Sequence, residues 1–173
     1  QILVIRSSVY PGLIDEIIKI ALKKKIKKIA YCPERISQGN SINELKTLPQ
    51  VISTYDKFTE NEVSKLFKII SPKIIKAQVK EVELMKLFTN SWRYILFGIS
   101  NEFFMISKKF GLNYENIRKI MIDDYPRAKN IPTAGFASGP CLHKDTIQLS
   151  HYLGDNFLFG NAAKKINQNI TKF

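Results

Sequence analysis

The stretch QILVIRSSVYPGLIDEIIKIALKKKIKKIAYCP, residues 1–33, decides the fold class of this chain. It opens on an apolar run without a polar lead-in, which is typical of a buried strand. Pro11 and Gly12 mark the entry to a helix, predicted from the spacing of Leu13, Ile17, Ile20 and Ala21. The run KKIAYCP predicts a second strand, which Pro33 ends.

The segments that follow continue this alternation of strands and helices. LPQVIST, residues 48–54, and KIIKAQ, residues 73–78, predict a third and a fourth strand. Thr59 followed by Glu62 has capping-box spacing and predicts a helix that runs to Ile70. Strand, helix, strand, strand, helix and strand together indicate an α/β sheet with crossover helices.

The pattern then becomes helical to the end of the chain. One long helix is expected over about 78–110, where Gly111 ends it. Asn113 is expected to cap a further helix that stops before Pro126. A loop over about 131–145 and a last helical segment complete the prediction.

Composition limits the function classes. The 173 residues equal one ordinary domain or pieces of two, and the net charge of +12 makes a basic nucleic-acid-binding domain one hypothesis. The densest basic run, residues 23–29, lies where a helix would end, which favours a solvated helix end. Charged and amide side chains within 84–106 argue against a membrane span. Only two cysteines and no basic leader predict a cytoplasmic protein.

Two polar side chains interrupt the apolar face of the long helix. Lys86 and Asn90 are four residues apart, so they share a face and need partners or a cavity. The alternative is that Lys86 extends to the surface at the start of the helix.

Cys141 and Asp145 are also four residues apart, and Lys144 lies between them. A helix that starts near Cys141 would favour the thiolate, which is a nucleophile, and the lysine could stabilise an oxyanion. An ordinary buried cysteine in a turn is the alternative. A third alternative is a metal site formed by Cys141, His143 and His151, with Cys32 as a possible fourth ligand. The spacing of these residues matches no familiar zinc motif.

The segment CPERISQG, residues 32–39, directly follows the second strand. Because the carboxyl ends of strands face the ligand crevice in open α/β sheets, Glu34 is well placed for chemistry. An ordinary turn acid explains it equally well. Cys32 is expected to be buried and structural.

Four blocks in order resemble the nucleotide-sugar 6-dehydrogenases, the family of UDP-glucose, UDP-N-acetylhexosamine and GDP-mannose dehydrogenases. They are VIRSSVYPG, YCPERISQG, VELMKLFTNSWRYILFGISNEF and AGFASGPCLHKD. The resemblance implies the second half of a Rossmann-like parallel sheet, followed by a mostly helical central dimerisation domain with one long helix. It divides the chain into half of an NAD-binding domain, a central domain with the cysteine loop, and a helical segment toward an absent C-terminal domain: residues 1–77, 78–155 and 156–173.

The resemblance also implies chemistry. Such enzymes oxidise a sugar primary alcohol to a carboxylate in two steps that reduce two NAD molecules. Cys141 looks like the nucleophile that attacks the intermediate aldehyde, and Lys86 with Asn90 like the pair that steadies the oxyanion. Asp145 would position or activate water, with help from Ser8. Glu34 would assist proton transfer and thioester hydrolysis.

Binding residues follow from the same resemblance. NAD would contact Ser7, Ser8, Gln38 and Lys144. The nucleotide sugar would contact Glu34, Arg35, Lys86, Asn90, Arg127, Gly135 and Phe136. The sequence PER favours a UDP-N-acetylhexosamine over UDP-glucose, and a homodimer is expected through the long helix, with the phenylalanines of NEFFMI, residues 101–106, at the interface. No metal, membrane or nucleic-acid partner is expected.

One absence keeps a second hypothesis open. No glycine-rich phosphate loop adjoins any predicted strand, so the first half of the NAD domain is expected to lie outside this chain. A catalytically inert dimerisation or interaction fragment is therefore the alternative.

Overall fold

The computed structural model describes residues 1–37, 39–137 and 139–173. They form two compact units, Gln1–Lys86 and Leu87–Phe173. The first unit contains a four-stranded sheet in the order β1-β2-β3-β4, which confirms the α/β fold class. Its elements in chain order are β1 Leu3–Ile5, α1 Leu13–Lys23, β2 Ile29–Tyr31, α2 Ser41–Thr47, β3 Gln50–Thr54, α3 Lys57–Lys68 and β4 Ile74–Lys76.

The sheet is mixed, so the prediction of an all-parallel sheet is wrong at one pair. Strands β1 and β2 run parallel, as do β3 and β4, but β2 and β3 are antiparallel. Parallel neighbours need a crossover, usually through a packed helix. Helix α2, which lies between β2 and β3, has seven residues and none of them is buried. The chain therefore reverses direction between β2 and β3 without a packed crossover helix.

Helix α3 is capped by Asp56, so the expected capping box at Thr59 is wrong. The Asp56 carboxylate accepts a 2.8 Å hydrogen bond from the Thr59 N–H, and this bond lowers the pKa of Asp56. Thr59 is the third helical residue and its side chain is fully buried. An aspartate caps well because its negative charge also complements the helix N-terminus.

Both faces of the sheet are covered by apolar side chains. Successive strand residues point to opposite faces, so Tyr31 and Val51 pack on one side while Ala30 and Ile52 pack on the other. The first cluster includes residues of α1 and the second includes residues of α3. Burial on both faces explains why the strands are continuous apolar runs.

Helix α4, Val79–Lys109, confirms the long helix. Its first turns in the first unit carry Glu83, whose side chain is buried. The Glu83 carboxylate accepts hydrogen bonds from the N–H groups of Gly12, at 2.7 Å, and Ile14, at 2.9 Å. These are free donors at the N-terminus of α1, where a negative charge is favourable. Glu83 therefore joins the start of α4 to the start of α1.

The second unit is helical and contains α5 Tyr114–Ile122, α6 Pro140–Leu153 and α7 Leu158–Asn169. Asn113 caps α5 as expected, because its side-chain oxygen accepts from the N–H groups of Glu115 and Asn116. The prediction that the loop runs to about Asp145 is wrong, since α6 begins at Pro140. Proline suits the first helical position, where its missing N–H has no helical partner to lose. Cys141 therefore lies in a helix, not in a loop.

No helix in the described part of the chain is long and apolar enough to cross a membrane. The division into segments 1–77, 78–155 and 156–173 stays a prediction.

Candidate functional site

The first cluster of predicted site residues follows the carboxyl ends of β1 and β2. Backbone pairing continues beyond these strands, from the Cys32 N–H to the Ile5 oxygen at 2.8 Å and from the Glu34 N–H to the Arg6 oxygen at 2.9 Å. This pairing places the Arg6 guanidinium against the Glu34 carboxylate as an ion pair. Strand-end geometry thus brings Glu34 to the edge where ligands bind in open sheets.

Arg6 is held from other directions as well. It donates a 3.2 Å hydrogen bond to the Gln50 side chain, and its guanidinium lies 4.9 Å from the centre of the Phe67 ring. Arg6 is a site residue that was not predicted from the sequence. The available signal was its place directly after a strand, beside Ser7 and Ser8.

Glu34 is ionised at neutral pH. Burial alone would raise the pKa of its carboxyl, but hydrogen bonds from Arg6 and from the N–H groups of Ile36 and Arg35 outweigh burial and lower it. A carboxylate in this state accepts hydrogen bonds from a hydroxyl or a water, but its lowered pKa makes it a weak base at neutral pH.

Replacing Arg6 with alanine should raise the pKa of Glu34 and shift acid unfolding to higher pH. In the wild type, the lowered pKa means that ionised Glu34 stabilises the fold above its unfolded-state value of about 4.3. That stabilisation is lost as the pH falls through the lowered folded-state pKa. Without Arg6 most of it is already absent, which a pH titration followed by circular dichroism and by carboxyl NMR would detect.

Arg35→Ala is the matched control, because Arg35 contacts Glu34 through its backbone N–H and that bond survives the substitution. Equal acid midpoints for Arg6→Ala, Arg35→Ala and the wild type would contradict the assignment of Arg6 as the charge partner.

Two serines follow β1 at the same edge. Ser7 is exposed and Ser8 is half-buried. Their hydroxyl groups can donate to phosphate oxygens and can donate to or accept from ribose hydroxyls, so their chemistry fits part of a dinucleotide. Arg35, which directly follows Glu34 in the sequence, is half-buried, and Gln38 lies outside the described residues.

The second cluster forms at the N-terminus of α6. Its N-cap, Gly139, has φ 80° and ψ 154°, a conformation that is essentially restricted to glycine. Pro140 follows, and Cys141 is then exposed in the first turn. The buried residues of α6 recur at helical spacing and are Leu142, Asp145, Thr146, Leu149 and Ser150.

Asp145 is a fully buried carboxylate with two nearby donors. The Asn90 amide nitrogen of α4 lies 2.5 Å from its Oδ2, and the Lys144 ammonium lies 2.8 Å from its Oδ1. A buried charge is tolerated only when it is paired in this way. The structure therefore brings together three predicted site residues, Asn90, Lys144 and Asp145, and Asp145 lies one helical turn from Cys141.

Three further predicted site residues are Lys86, Arg127 and Phe136. Lys86 is half-buried on α4, four residues before Asn90. Arg127 is exposed, donates to the Tyr125 hydroxyl at 2.9 Å and stacks on its ring. Phe136 is exposed, with 76% of its surface accessible.

The hypothesis of a metal site finds no cluster to support it. Within residues 1–37, 39–137 and 139–173, no group of three His, Cys, Asp or Glu side chains could hold an ion. His143 instead packs against Tyr94, with 5.8 Å between the ring centres. Cys32 is buried as expected, and burial raises the pKa of its thiol to about 12.

Asn101 is a second residue that the sequence analysis missed. Its fully buried amide pairs with both backbone groups of Gly135, in the segment that leads to Cys141. A signal was available, since Asn101 follows Asn90 by eleven residues. That spacing is three helical turns and puts both amides on one face.

The two family models that match this chain describe domains of the same family. Residues 1–71 match the model of the UDP-glucose/GDP-mannose dehydrogenase family NAD-binding domain, and residues 80–169 match that of its central domain. UDP-N-acetyl-D-mannosamine dehydrogenase of Methanocaldococcus jannaschii is 28% identical over 147 residues, covering 84% of this chain and 34% of that protein. The enzyme of that name from Pyrococcus horikoshii is 26% identical, covering 99% of this chain and 43% of that protein.

A solved structure shows the same fold. UDP-D-ManNAc dehydrogenase from Pyrococcus horikoshii superposes with a TM-score of 0.90 at 23% identity, covering 99% of this chain and 43% of that one. The chain thus spans about two-fifths of the length of the curated relatives that it matches.

Proposed function

Because this chain belongs to the UDP-glucose/GDP-mannose dehydrogenase family, we propose that it serves an NAD-dependent oxidation of a nucleotide sugar. The reaction converts the sugar 6-hydroxyl to a carboxylate. The observation that supports it best is the helix start that exposes Cys141 one turn from the paired Asn90 and Asp145. The names of the relatives favour a UDP-N-acetylhexosamine as substrate, with UDP-glucose as the second choice.

NAD⁺, when bound, supplies the hydride acceptor for both oxidations. Residues 1–71 belong to the family's NAD-binding domain, and Ser7 and Ser8 stand where an open sheet binds its ligands. Lys144 carries a positive charge suited to a phosphate, although it also pairs with Asp145. Gln38 is also proposed to contact NAD, on the basis of the family resemblance.

Cys141 is proposed as the nucleophile. Its thiolate adds to the carbonyl carbon of the intermediate aldehyde, so a C–S bond forms and the π electrons move to oxygen. The Asn90 amide has two N–H groups, and Asp145 occupies one of them. The second can donate to the new oxyanion, helped by the ammonium of Lys86 one turn earlier on α4.

Asp145 is proposed to act on water. Loss of a hydride from the Cys141 adduct, for which NAD⁺ would be the acceptor, leaves a thioester. Water attacks the thioester carbon, one of its protons passes to the Asp145 carboxylate, and the C–S bond breaks to release the acid and the thiolate. Asn90 and Lys144 hold the Asp145 carboxylate in one orientation, which favours attack from a fixed position. Ser8 is proposed to help position this water.

Glu34 is proposed to assist proton transfer in alcohol oxidation and thioester hydrolysis, with an ionised carboxylate that can accept a hydrogen bond from the reacting hydroxyl or water. The nucleotide sugar is proposed to contact Arg35, Gly135 and Phe136. Arg127 is proposed to reach the substrate of a neighbouring subunit.

A homodimer through α4 is part of the proposal. Exposed apolar side chains follow one face of this helix, at Phe88, Trp92, Ile99, Phe103 and Ile106, and Phe110 directly after its end continues the spacing. Their spacing of three, four or seven residues keeps them on one stripe. Such a long apolar stripe is costly in water, and a second copy of α4 would cover it.

Placing a charge in this stripe should separate the dimer. Each dimer carries Ile99→Glu twice, so we expect its dissociation constant to rise about 100-fold or more. Analytical ultracentrifugation measures it. Arg93→Gln, on the exposed surface of α4 but off the stripe, changes the charge equally and should leave the dimer intact. A monomeric wild type, or equal effects of both variants, would contradict the dimer proposal.

The activity is tested with the protein as its own cells make it. NADH formation is followed at 340 nm, a wavelength at which NADH but not NAD⁺ absorbs, against UDP-N-acetyl-mannosamine, UDP-N-acetylglucosamine, UDP-glucose and GDP-mannose (assay conditions of about 1 mM substrate, in the usual range of KM values). Turnover of one of these sugars is expected. No turnover of any would contradict the proposal and favour an inert dimerisation fragment.

A further inference from the structure

We infer that Asn101 is a positioning residue that fixes the substrate-contacting loop before Cys141. This inference rests on the proposed function and adds to it a residue that has no contact with the reacting atoms. The loop enters from Pro132 and passes Gly135 and Phe136, both proposed to contact the nucleotide sugar.

The contact between Asn101 and the loop is bidentate. The Gly135 N–H donates to Asn101 Oδ1 at 2.7 Å, and Asn101 Nδ2 donates to the Gly135 oxygen at 2.9 Å. The side-chain amide thus pairs with one residue's backbone as a neighbouring strand would. Two bonds to the same residue fix both its position and its orientation.

Gly135 has a backbone that needs such support. Its φ is 146°, a value that side-chain-bearing residues rarely adopt, and a Cβ there would meet no atom within 4 Å. Glycine is therefore favoured at this position by the backbone conformation and not by a lack of space for a side chain. Asn101 stabilises this conformation from the side of α4.

Asn101 is itself fixed by a buried amide chain. Its Nδ2 also donates to Asn167 Oδ1 of α7 at 2.8 Å, and Asn167 Nδ2 donates to the Tyr94 oxygen of α4 at 3.1 Å. Asn101 is fully buried and Asn167 is 9% exposed. A fully satisfied buried network has one arrangement, so Asn101 cannot turn away without leaving partners unpaired.

The rest of the loop entry is anchored to the same unit. Ser100, next to Asn101 on α4, donates to the Pro132 oxygen at 2.8 Å, and Arg118 of α5 donates to the Ile131 oxygen at 3.4 Å. These bonds hold the segment before Gly135. Asn101 alone among these side chains holds Gly135 itself, so its loss should free the substrate-contacting part while the entry stays in place.

The test compares Asn101→Ala with Asn167→Ala in the protein as its own cells make it. Both variants remove the Asn101–Asn167 bond, but only the first removes the bonds to Gly135. Hydrogen exchange of the Gly135 amide should become up to about tenfold faster in Asn101→Ala alone. KM for the nucleotide sugar should rise about tenfold in Asn101→Ala, with kcat and the KM for NAD changed less than about threefold.

Asn101→Ser, which keeps a hydroxyl in the buried network but is too short for both Gly135 groups, replaces Asn101→Ala if that variant does not fold. Equal exchange and equal KM in the two asparagine variants would overturn the inference. A wild type that oxidises no nucleotide sugar would contradict the proposed function instead. The exchange comparison then still decides whether Asn101 holds the loop.

Discussion

Replacing Cys141 with serine is expected to abolish formation of the sugar acid, by about 10⁴-fold or more. A serine hydroxyl is a much weaker nucleophile than a thiolate, so the covalent adduct that leads to the acid should form very slowly. The first oxidation does not need the thiol. We therefore expect slow release of aldehyde with one NADH per sugar, measured by chromatography of the product and absorbance of NADH.

Cys32→Ala is the matched control for this variant. Cys32 is fully buried and its pKa is raised to about 12, so it is a neutral thiol at working pH. Its removal should reduce stability and leave acid formation within about threefold, since the residue stays a small apolar core group. Iodoacetamide should modify Cys141 and spare Cys32. Undiminished acid formation by Cys141→Ser would remove the thiol from the mechanism.

Replacing Glu83 with alanine is expected to lower the free energy of unfolding by about 3 kcal/mol. The change leaves the N–H groups of Gly12 and Ile14 without the carboxylate that accepts from both. Domains are stable by only about 5–15 kcal/mol, so the loss should be visible as a clear shift of the urea midpoint. Glu83 also anchors the part of α4 that carries Lys86, three residues later, so oxidation of the nucleotide sugar should become slower as well.

Glu81→Ala is the control, since Glu81 is an exposed carboxylate in the same part of α4 that accepts one hydrogen bond from the Gln78 N–H. It should cost no more than about 1 kcal/mol. Glu83→Gln keeps one acceptor and should fall between the two. Equal losses for Glu81→Ala and Glu83→Ala would show that the buried contact contributes nothing special.

The sequence predicted the features that local physics dictates. The long helix over about 78–110, the Asn113 cap and the burial of Cys32 follow from periodicity, cap preference and side-chain chemistry, and the structure confirms them. The sequence suggested a reactive Cys141 only if a helix begins near it. The structure shows that helix, with Gly139 as its N-cap and Pro140 as its first residue.

The predictions that were wrong or missing concern features set by competition between neighbouring residues or by partners distant in the chain. Asp56 and Thr59 both favour helix starts, and the sequence alone does not say which one the chain uses. The antiparallel pairing of β2 and β3 depends on how little of α2 is buried. Arg6 and Asn101 gain their roles from partners 28 and 34 residues away in the chain, which no local pattern encodes.

The ratio of NADH formed to sugar acid formed tests the central claim most directly. It is measured with the protein as its own cells make it, at a limiting concentration of UDP-N-acetyl-mannosamine and an excess of NAD. Covalent catalysis through Cys141 predicts two NADH for each acid, with no free aldehyde. One NADH for each sugar, accompanied by released aldehyde, would contradict a role for Cys141 as the nucleophile.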